Sequence, residues 1–177
     1  MAKVLIVIPH DRFQDEEFEI VKRTIDNGVH VVQIGSTHHT EAKGHFGLVV
    51  KPDVNIGFVE PSDYDAIVFI GGHGVEEYMM DGDVANLIHN FSAERKLIGA
   101  IGLAVELLVY AGAITGRKVT CLPELISMVQ GAGAYYTGMP TELDGDVLTA
   151  VNSRAKEEFA TELLKCLDHV DPRRGLR

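Results

Sequence analysis

Short apolar runs alternate along this chain with segments of helical periodicity. Continuous apolar runs predict buried strands at residues 4–8, 29–34, 64–70, 97–101 and 118–121. Apolar spacing of three or four predicts helices at residues 16–27, 83–91, 103–111, 124–131 and 155–167. Residues 46–52 and 141–151 are predicted as antiparallel additions, the second turning at Asp144-Gly145. Apolar strands that are each followed by a helix predict a doubly wound α/β sandwich with a mainly parallel sheet.

Length and composition narrow the class of protein. The 177 residues suit one domain over 1–170, and the polar residues 171–177 are expected to be a disordered tail. A formal charge of -10 disfavours nucleic acid as a partner. The apolar runs are too short for a membrane span, and the first lacks a cleavage site, so we expect neither a membrane partner nor a signal peptide. Cys121 and Cys166 are read as reduced thiols of a cytoplasmic protein.

Candidate site residues follow the strands. In parallel sheets of this kind, ligands bind beyond the carboxyl ends of the strands. That rule selects residues 10–17, 71–74, 102–104 and 121–122.

The strand at residues 97–101 passes into a helix with no polar loop between them. This layout is typical of a nucleophile elbow, a sharp turn that presents a reactive side chain above the sheet. The residue at the turn is Gly102, which has no side chain. Glycine adopts strained turn conformations without a steric penalty, so Gly102 fits an elbow that has lost its nucleophile. Two alternatives stay open: a glycine that only allows close packing of strand and helix, and an engineered replacement of the reactive residue.

Several segments together resemble the ThiJ/PfpI family of the class I glutamine-amidotransferase-like superfamily. They are Phe13 to Glu17, the strand from Tyr64 into Gly71-Gly72 and Gly74, the turn Ala100 to Ala104, the segment Ala111 to Thr120 and the hairpin Asp144 to Thr149. The similarity spans roughly residues 3–168. It implies a flavodoxin-like three-layer sandwich with a mainly parallel central sheet, and a homodimer.

The resemblance also implies three functional positions. Family members usually carry a cysteine at the elbow, hydrogen-bonded to a glutamate from the first βα loop, and many carry a histidine after the fifth strand. In this chain Gly102 stands at the cysteine position, Glu17 at the glutamate position and Leu122 at the histidine position. The family's protease, amidase, glyoxalase-like and deglycase activities rest on the cysteine, so we expect them to be missing.

A small pocket is expected around Glu17. Burial without a cationic partner would raise the pKa of its carboxyl group, which could then act as an acid, a base or a ligand-orienting group. The amides of Gly72 and Leu103 are candidate oxyanion donors, with His73 and Cys121 as further ligand-binding candidates. Asp15 and Glu16 are read as solvated acids in the first turn of a helix.

Histidines offer an alternative chemistry at the same edge. His10, Glu17 and His73 could converge to bind a metal, although we expect no metal and no cofactor. The histidines at 38, 39 and 45 are assigned to a solvated loop.

The sequence therefore predicts a ThiJ/PfpI-like protein without the cysteine nucleophile, retaining a pocket for a small carbonyl or carboxylate compound. The alternative is an active hydrolase or glyoxalase-like enzyme that uses Glu17 with water, His73 or a metal. A purely structural dimer is the third possibility.

Overall fold

A computed structural model describes residues 1–170, in which twelve strands and five α-helices are found. The strands are β1 (Lys3–Val7), β2 (Asp11–Phe13), β3 (Val31–Ser36), β4 (Ala42–Gly44), β5 (Val49–Val50), β6 (Val54–Asn55), β7 (Ala66–Phe69), β8 (Leu97–Ile101), β9 (Lys118–Val119), β10 (Tyr135–Tyr136), β11 (Thr141–Asp144) and β12 (Val147–Ala150). The helices are α1 (Asp15–Asn27), α2 (Gly82–Ala93), α3 (Val105–Tyr110), α4 (Ile126–Gly131) and α5 (Lys156–Asp168). The tail expected at residues 171–177 lies outside the described residues.

Seven strands form the central sheet, in the order β11-β12-β8-β7-β1-β3-β6. Every neighbouring pair is parallel except β11 with β12, which form an antiparallel hairpin. The predicted turn at Asp144-Gly145 is confirmed, with Gly145 at a φ of 62°. A mainly parallel sheet is therefore confirmed.

Both faces of the sheet are covered because successive strand residues point to opposite sides. In β1, Leu5 and Val7 join the cluster that holds the apolar residues of α2 and α3. Val4 and Ile6 join the second cluster, with apolar residues of α1 and α5. Strands buried on both sides give the continuous apolar runs seen in the sequence. The three-layer sandwich is confirmed.

Two strand assignments differ from the sequence prediction. The fifth predicted strand, residues 118–121, does not join the central sheet: β9 pairs with β10 in a separate two-stranded sheet. Its place beside β8 is taken by β12, whose four residues are all buried. The predicted addition at residues 46–52 contributes only β5, which pairs with β4 in a small three-stranded sheet that also contains β2.

The carboxyl ends of β1, β7, β8 and β12 lie side by side at one edge of the central sheet, because these strands are parallel neighbours. The connections that leave these ends carry the first turn of α1, a glycine-rich loop, the turn at Gly102 and the segment that enters α5. Within residues 1–170, no helix combines the length and the apolar character needed to cross a bilayer.

Candidate functional site

The turn between β8 and α3 has the backbone of an elbow. Gly102 has a φ of 62°, in the left-handed region, while Ile101 before it is extended and the helix follows after one 3-10 turn. A Cβ atom placed on Gly102 would lie 3.1 Å from the Glu17 Oε1 atom. Any side chain at this position would therefore point at the Glu17 carboxyl group.

Glu17 lies in the first turn of α1 and is only 3% exposed. Its Oε2 atom accepts a hydrogen bond from the Gly71 amide at 2.9 Å, and its Oε1 atom accepts one from the Ser153 hydroxyl at 2.8 Å. Burial raises the pKa of the Glu17 carboxyl group to about 7, although the two hydrogen bonds and the charge of Lys156 oppose the rise. Glu17 is therefore divided between its neutral and ionised forms near neutral pH.

Close approach of the chain explains two glycines after β7. A Cβ atom on Gly71 would lie 2.7 Å from the Ile101 carbonyl oxygen and 2.8 Å from Glu17 Oε2. Gly72 has a φ of 111°, and a Cβ atom there would lie 2.7 Å from the Gln14 amide nitrogen. Glycine at both positions lets the Gly71 amide reach the buried acid.

A cavity of about 310 Å³ opens above Glu17. The predicted site residues that line it are Glu17, Gly72, His73, Gly102 and Leu103. The other lining residues are Gln14, His45, Phe46, Leu122, Glu124, Asn152 and Ser153. The volume lies at the lower end of the range for small-molecule sites, so the cavity suits a compact ligand.

The loop between β4 and β5 places His45 and Phe46 at the rim of this cavity. The loop is held by Asp15, whose carboxylate accepts hydrogen bonds from the amides of Phe46 at 2.9 Å and Leu48 at 2.8 Å. Asp15 is 5% exposed, so the prediction of a solvated acid was wrong for this residue. His45 is exposed, as expected for a solvated loop, and its ring lies 6.1 Å from that of His73.

Cys121 is not among the residues that line the cavity, contrary to the sequence prediction. It is fully buried in the core, while its neighbour Leu122 faces the cavity. Adjacent residues of extended chain point to opposite sides, which accounts for the difference. Burial raises the pKa of the Cys121 thiol to about 11, and the charge of Glu124 adds to the rise. Such a thiol is inert at neutral pH.

Of the three residues in the metal alternative, Glu17 and His73 line the cavity, and His10 does not. The His10 ring contacts Thr40 Oγ1 at 2.9 Å and lies tilted 4.7 Å from the His38 ring, and its amide donates to the Glu77 carboxylate. Across residues 1–170, no three side chains among histidine, cysteine, aspartate and glutamate are grouped closely enough to hold a metal ion.

Sequence reasoning missed the segment after β12. Asn152 and Ser153 line the cavity just before α5, and the Asn152 side chain accepts the Arg154 amide at 3.0 Å. The signal was present: this polar pair directly follows an apolar strand and precedes a helix. The prediction of an antiparallel addition at residues 141–151 hides this signal, because β12 runs parallel to β8 and its carboxyl end therefore lies at the edge of the sheet that carries the site.

Solved structures share this fold closely. A ThiJ/PfpI domain protein from Brachyspira murdochii superposes with a TM-score of 0.92 at 25% identity, covering 96% of this chain and 98% of that one. Drosophila melanogaster DJ-1beta superposes with a TM-score of 0.86 at 23% identity, covering 94% of this chain and 91% of that one. The second comparison supports the fold alone.

Sequence comparison establishes the family. The DJ-1/PfpI family model matches residues 2–166, and the chain belongs to this family. An uncharacterized protein of Methanocaldococcus jannaschii is 36% identical over 171 residues, which cover 94% of this chain and 83% of that protein. An uncharacterized protein of Staphylococcus aureus is 26% identical over 170 residues. The resemblance to the ThiJ/PfpI family is confirmed.

Proposed function

We propose that this protein is a DJ-1/PfpI member without the family's cysteine nucleophile, and that its cavity binds a small carbonyl or carboxylate compound. In this proposal Gly102 stands where the family's cysteine would be. The observation that carries it is the direction in which a side chain would leave Gly102, since an added Cβ atom would lie 3.1 Å from Glu17 Oε1. A cysteine there would have its sulfur beside the acid, and glycine leaves that space to a ligand.

The lining supports a polar ligand. It includes the side chains of Gln14, Asn152 and Ser153, which can both donate and accept hydrogen bonds. The neutral form of Glu17 can donate a proton to a ligand oxygen, and the amides of Gly72 and Leu103 are the proposed oxyanion donors.

Two titrations test this proposal. Pyruvate at ten times the Kd measured at pH 6 is expected to raise the Tm by about 3 °C at that pH, because ligand binding stabilises the folded state. The same pyruvate concentration should raise the Tm less at pH 8, where Glu17 has lost its proton. Glu17→Gln should remove this pH dependence. Glu106→Gln is the matched control, since it alters a buried glutamate of α3 that is not among the cavity-lining residues.

Activity assays form the other half of the test. We expect no turnover of methylglyoxal or of a fluorogenic peptide, with or without a chelator. Turnover of either compound by the unaltered protein would contradict the loss of the family's cysteine-dependent activities, and the absence of any Tm shift with pyruvate would contradict the pocket.

A second candidate function is the addition of water to a carbonyl substrate, with Glu17 as the general base. The observation that favours it is the pKa of about 7, because a general base works best when its pKa lies near the working pH. Methylglyoxal turnover that persists with chelator and is lost in Glu17→Gln would establish this candidate.

We also propose a cytoplasmic homodimer, on family membership alone. Light scattering behind a sizing column should give the mass of two chains. The mass of one chain would contradict it.

A further inference from the structure

The segments that follow β8 and β12 both approach the Oε1 atom of Glu17. The turn after β8 directs the Gly102 Cα towards Glu17 Oε1, and the segment after β12 brings the Ser153 hydroxyl to that oxygen at 2.8 Å. The two strands are parallel neighbours, so their outgoing turns lie next to each other. Ser153 Oγ therefore lies on the same carboxylate oxygen towards which a side chain at residue 102 would point.

The arrangement around Ser153 has the parts of an activated nucleophile. The hydroxyl donates to a carboxylate, and the other oxygen of that carboxylate is held by the Gly71 amide at 2.9 Å. A nucleophile that bonds to a base, with the base oriented by a third group, is the general signature of such sites. Ser153 and Glu17 both line the cavity, so a small molecule can reach them.

We propose that Ser153 is a nucleophile for acyl transfer from short-chain carboxylic esters, with Glu17 as its general base. This activity goes beyond the proposed function and uses the same cavity. A volume of about 310 Å³ restricts the substrate to a compact acyl group.

The chemistry balances without any further reactant except water. Ser153 Oγ bonds to the ester carbonyl carbon while its proton passes to Glu17 Oε1, and the carbonyl oxygen takes the negative charge. The carbonyl re-forms, the bond to the leaving alcohol breaks, and Glu17 returns the proton to the alcohol oxygen. A water molecule then attacks the acyl-serine carbon and gives its proton to Glu17, and the serine oxygen leaves with that proton. Nothing is oxidised or reduced.

A fluorophosphonate probe tests the nucleophile directly, because it phosphonylates activated serines. The whole chain is incubated with the probe at pH 8, and intact mass and peptide mapping follow. We expect one added phosphonyl group, on the peptide that contains Ser153. Ser153→Ala should lose the label, and Glu17→Gln should slow labelling by about 100-fold or more, the usual range for general-base catalysis. Ser92→Ala, which changes a serine of α2 that is not among the cavity-lining residues, should label as the unaltered protein does.

The pH profile of the labelling rate distinguishes an activated serine from one that is only accessible to the probe. It is measured on the unaltered protein, so it does not depend on whether the variants fold. The labelling rate of the unaltered protein should rise through about pH 7 as Glu17 ionises. Glu16, Lys156 and Glu124 add charge near Glu17. Two histidines, at 45 and 73, also line the cavity, so the profile is repeated with both changed to glutamine.

Burst release of nitrophenol from p-nitrophenyl acetate should match one acyl group per chain. Failure to label folded protein, labelling at another residue or a flat pH profile would each overturn the proposal. Pyruvate binding could persist in all three cases, so failure here is distinguishable from failure of the pocket.

Discussion

Asp15 and Glu17 lie two residues apart in the first turn of α1, and both are almost completely buried, yet their surroundings differ. Asp15 accepts two backbone amides of the loop between β4 and β5. Glu17 accepts one amide and one hydroxyl and faces a cavity. Burial of an acid therefore does not by itself mark a reactive site. What distinguishes Glu17 is its place on a cavity and its hydrogen bond from the Ser153 hydroxyl.

The two acids also act on the same cavity from different sides. Glu17 forms part of its floor, while Asp15 holds the loop that carries His45 and Phe46 at the rim. One turn of helix thus carries both the acid that lines the cavity and the acid that holds its rim. Changes at the two positions should separate these roles.

The largest effect is expected from Asp15→Ala. It removes the carboxylate that accepts from the amides of Phe46 and Leu48, and a hydrogen bond to a charged group contributes about 1.5–3 kcal/mol. We expect the free energy of unfolding to fall by roughly 3 kcal/mol in urea denaturation at pH 7. Asp15→Asn keeps one acceptor oxygen and should lose about half as much. A change below about 0.5 kcal/mol in Asp15→Ala would show that the loop does not depend on this acid.

Glu17→Gln should change how the stability of the protein depends on pH. The pKa of Glu17 is raised from 4.5 to about 7 in the folded protein, so the folded state binds more protons than the unfolded state between these values. The stability that the neutral acid contributes is present at low pH and is lost as the pH rises through this window. Relative to Glu17→Gln, the unaltered protein should lose roughly 2.5 kcal/mol of stability between pH 5 and pH 8.5.

Urea denaturation across this pH range measures the loss. Glu19→Gln, on the same helix but at an exposed position, is the control and should leave the pH dependence unchanged. Parallel curves for the unaltered protein and Glu17→Gln would contradict the raised pKa.

The smallest effect is expected at the rim. Phe46 is 70% exposed, so Phe46→Ser should change the free energy of unfolding by no more than about 0.5 kcal/mol. Because Phe46 lines the cavity, the same change should weaken pyruvate binding. Loss of stability without loss of binding would reverse the role assigned to this residue.

The sequence carried most of the fold, because buried parallel strands have continuous apolar runs and their helices have clear periodicity. The strand at Leu97–Ile101 was predicted with its observed bounds. The errors arose where partner choice is not local. Nothing near residues 118–121 indicates that β12 takes the place beside β8, since that outcome depends on a hairpin more than twenty residues later.

The site was predictable only in part, for the same reason. Glu17 and the turn at Gly102 follow strand ends that were recognised, and they meet in one cavity. Ser153 follows the strand whose direction was misread. The role of Asp15 could not be derived, because its hydrogen bonds reach residues more than thirty positions away.

A thiol introduced at residue 102 gives the most direct test of the central claim, that the turn there directs a side chain towards Glu17. Gly102→Cys is compared with Gly112→Cys. Gly112 has a nearly equal φ of 67° and would carry the same strain, but nothing lies within 4 Å of its Cβ position. The native cysteines contribute little background, because burial raises the pKa of both thiols.

The thiolate absorbance of each variant is followed from pH 4 to pH 10. A hydrogen bond donated by neutral Glu17 should stabilise the thiolate of Gly102→Cys, so the pKa of that thiol should fall well below the ordinary value of about 8.5. Adding Glu17→Gln should raise the thiol pKa back towards that value. Gly112→Cys should keep the ordinary value. If the thiols of both folded variants have the same pKa, a side chain at residue 102 does not contact Glu17, and the description of the site is wrong.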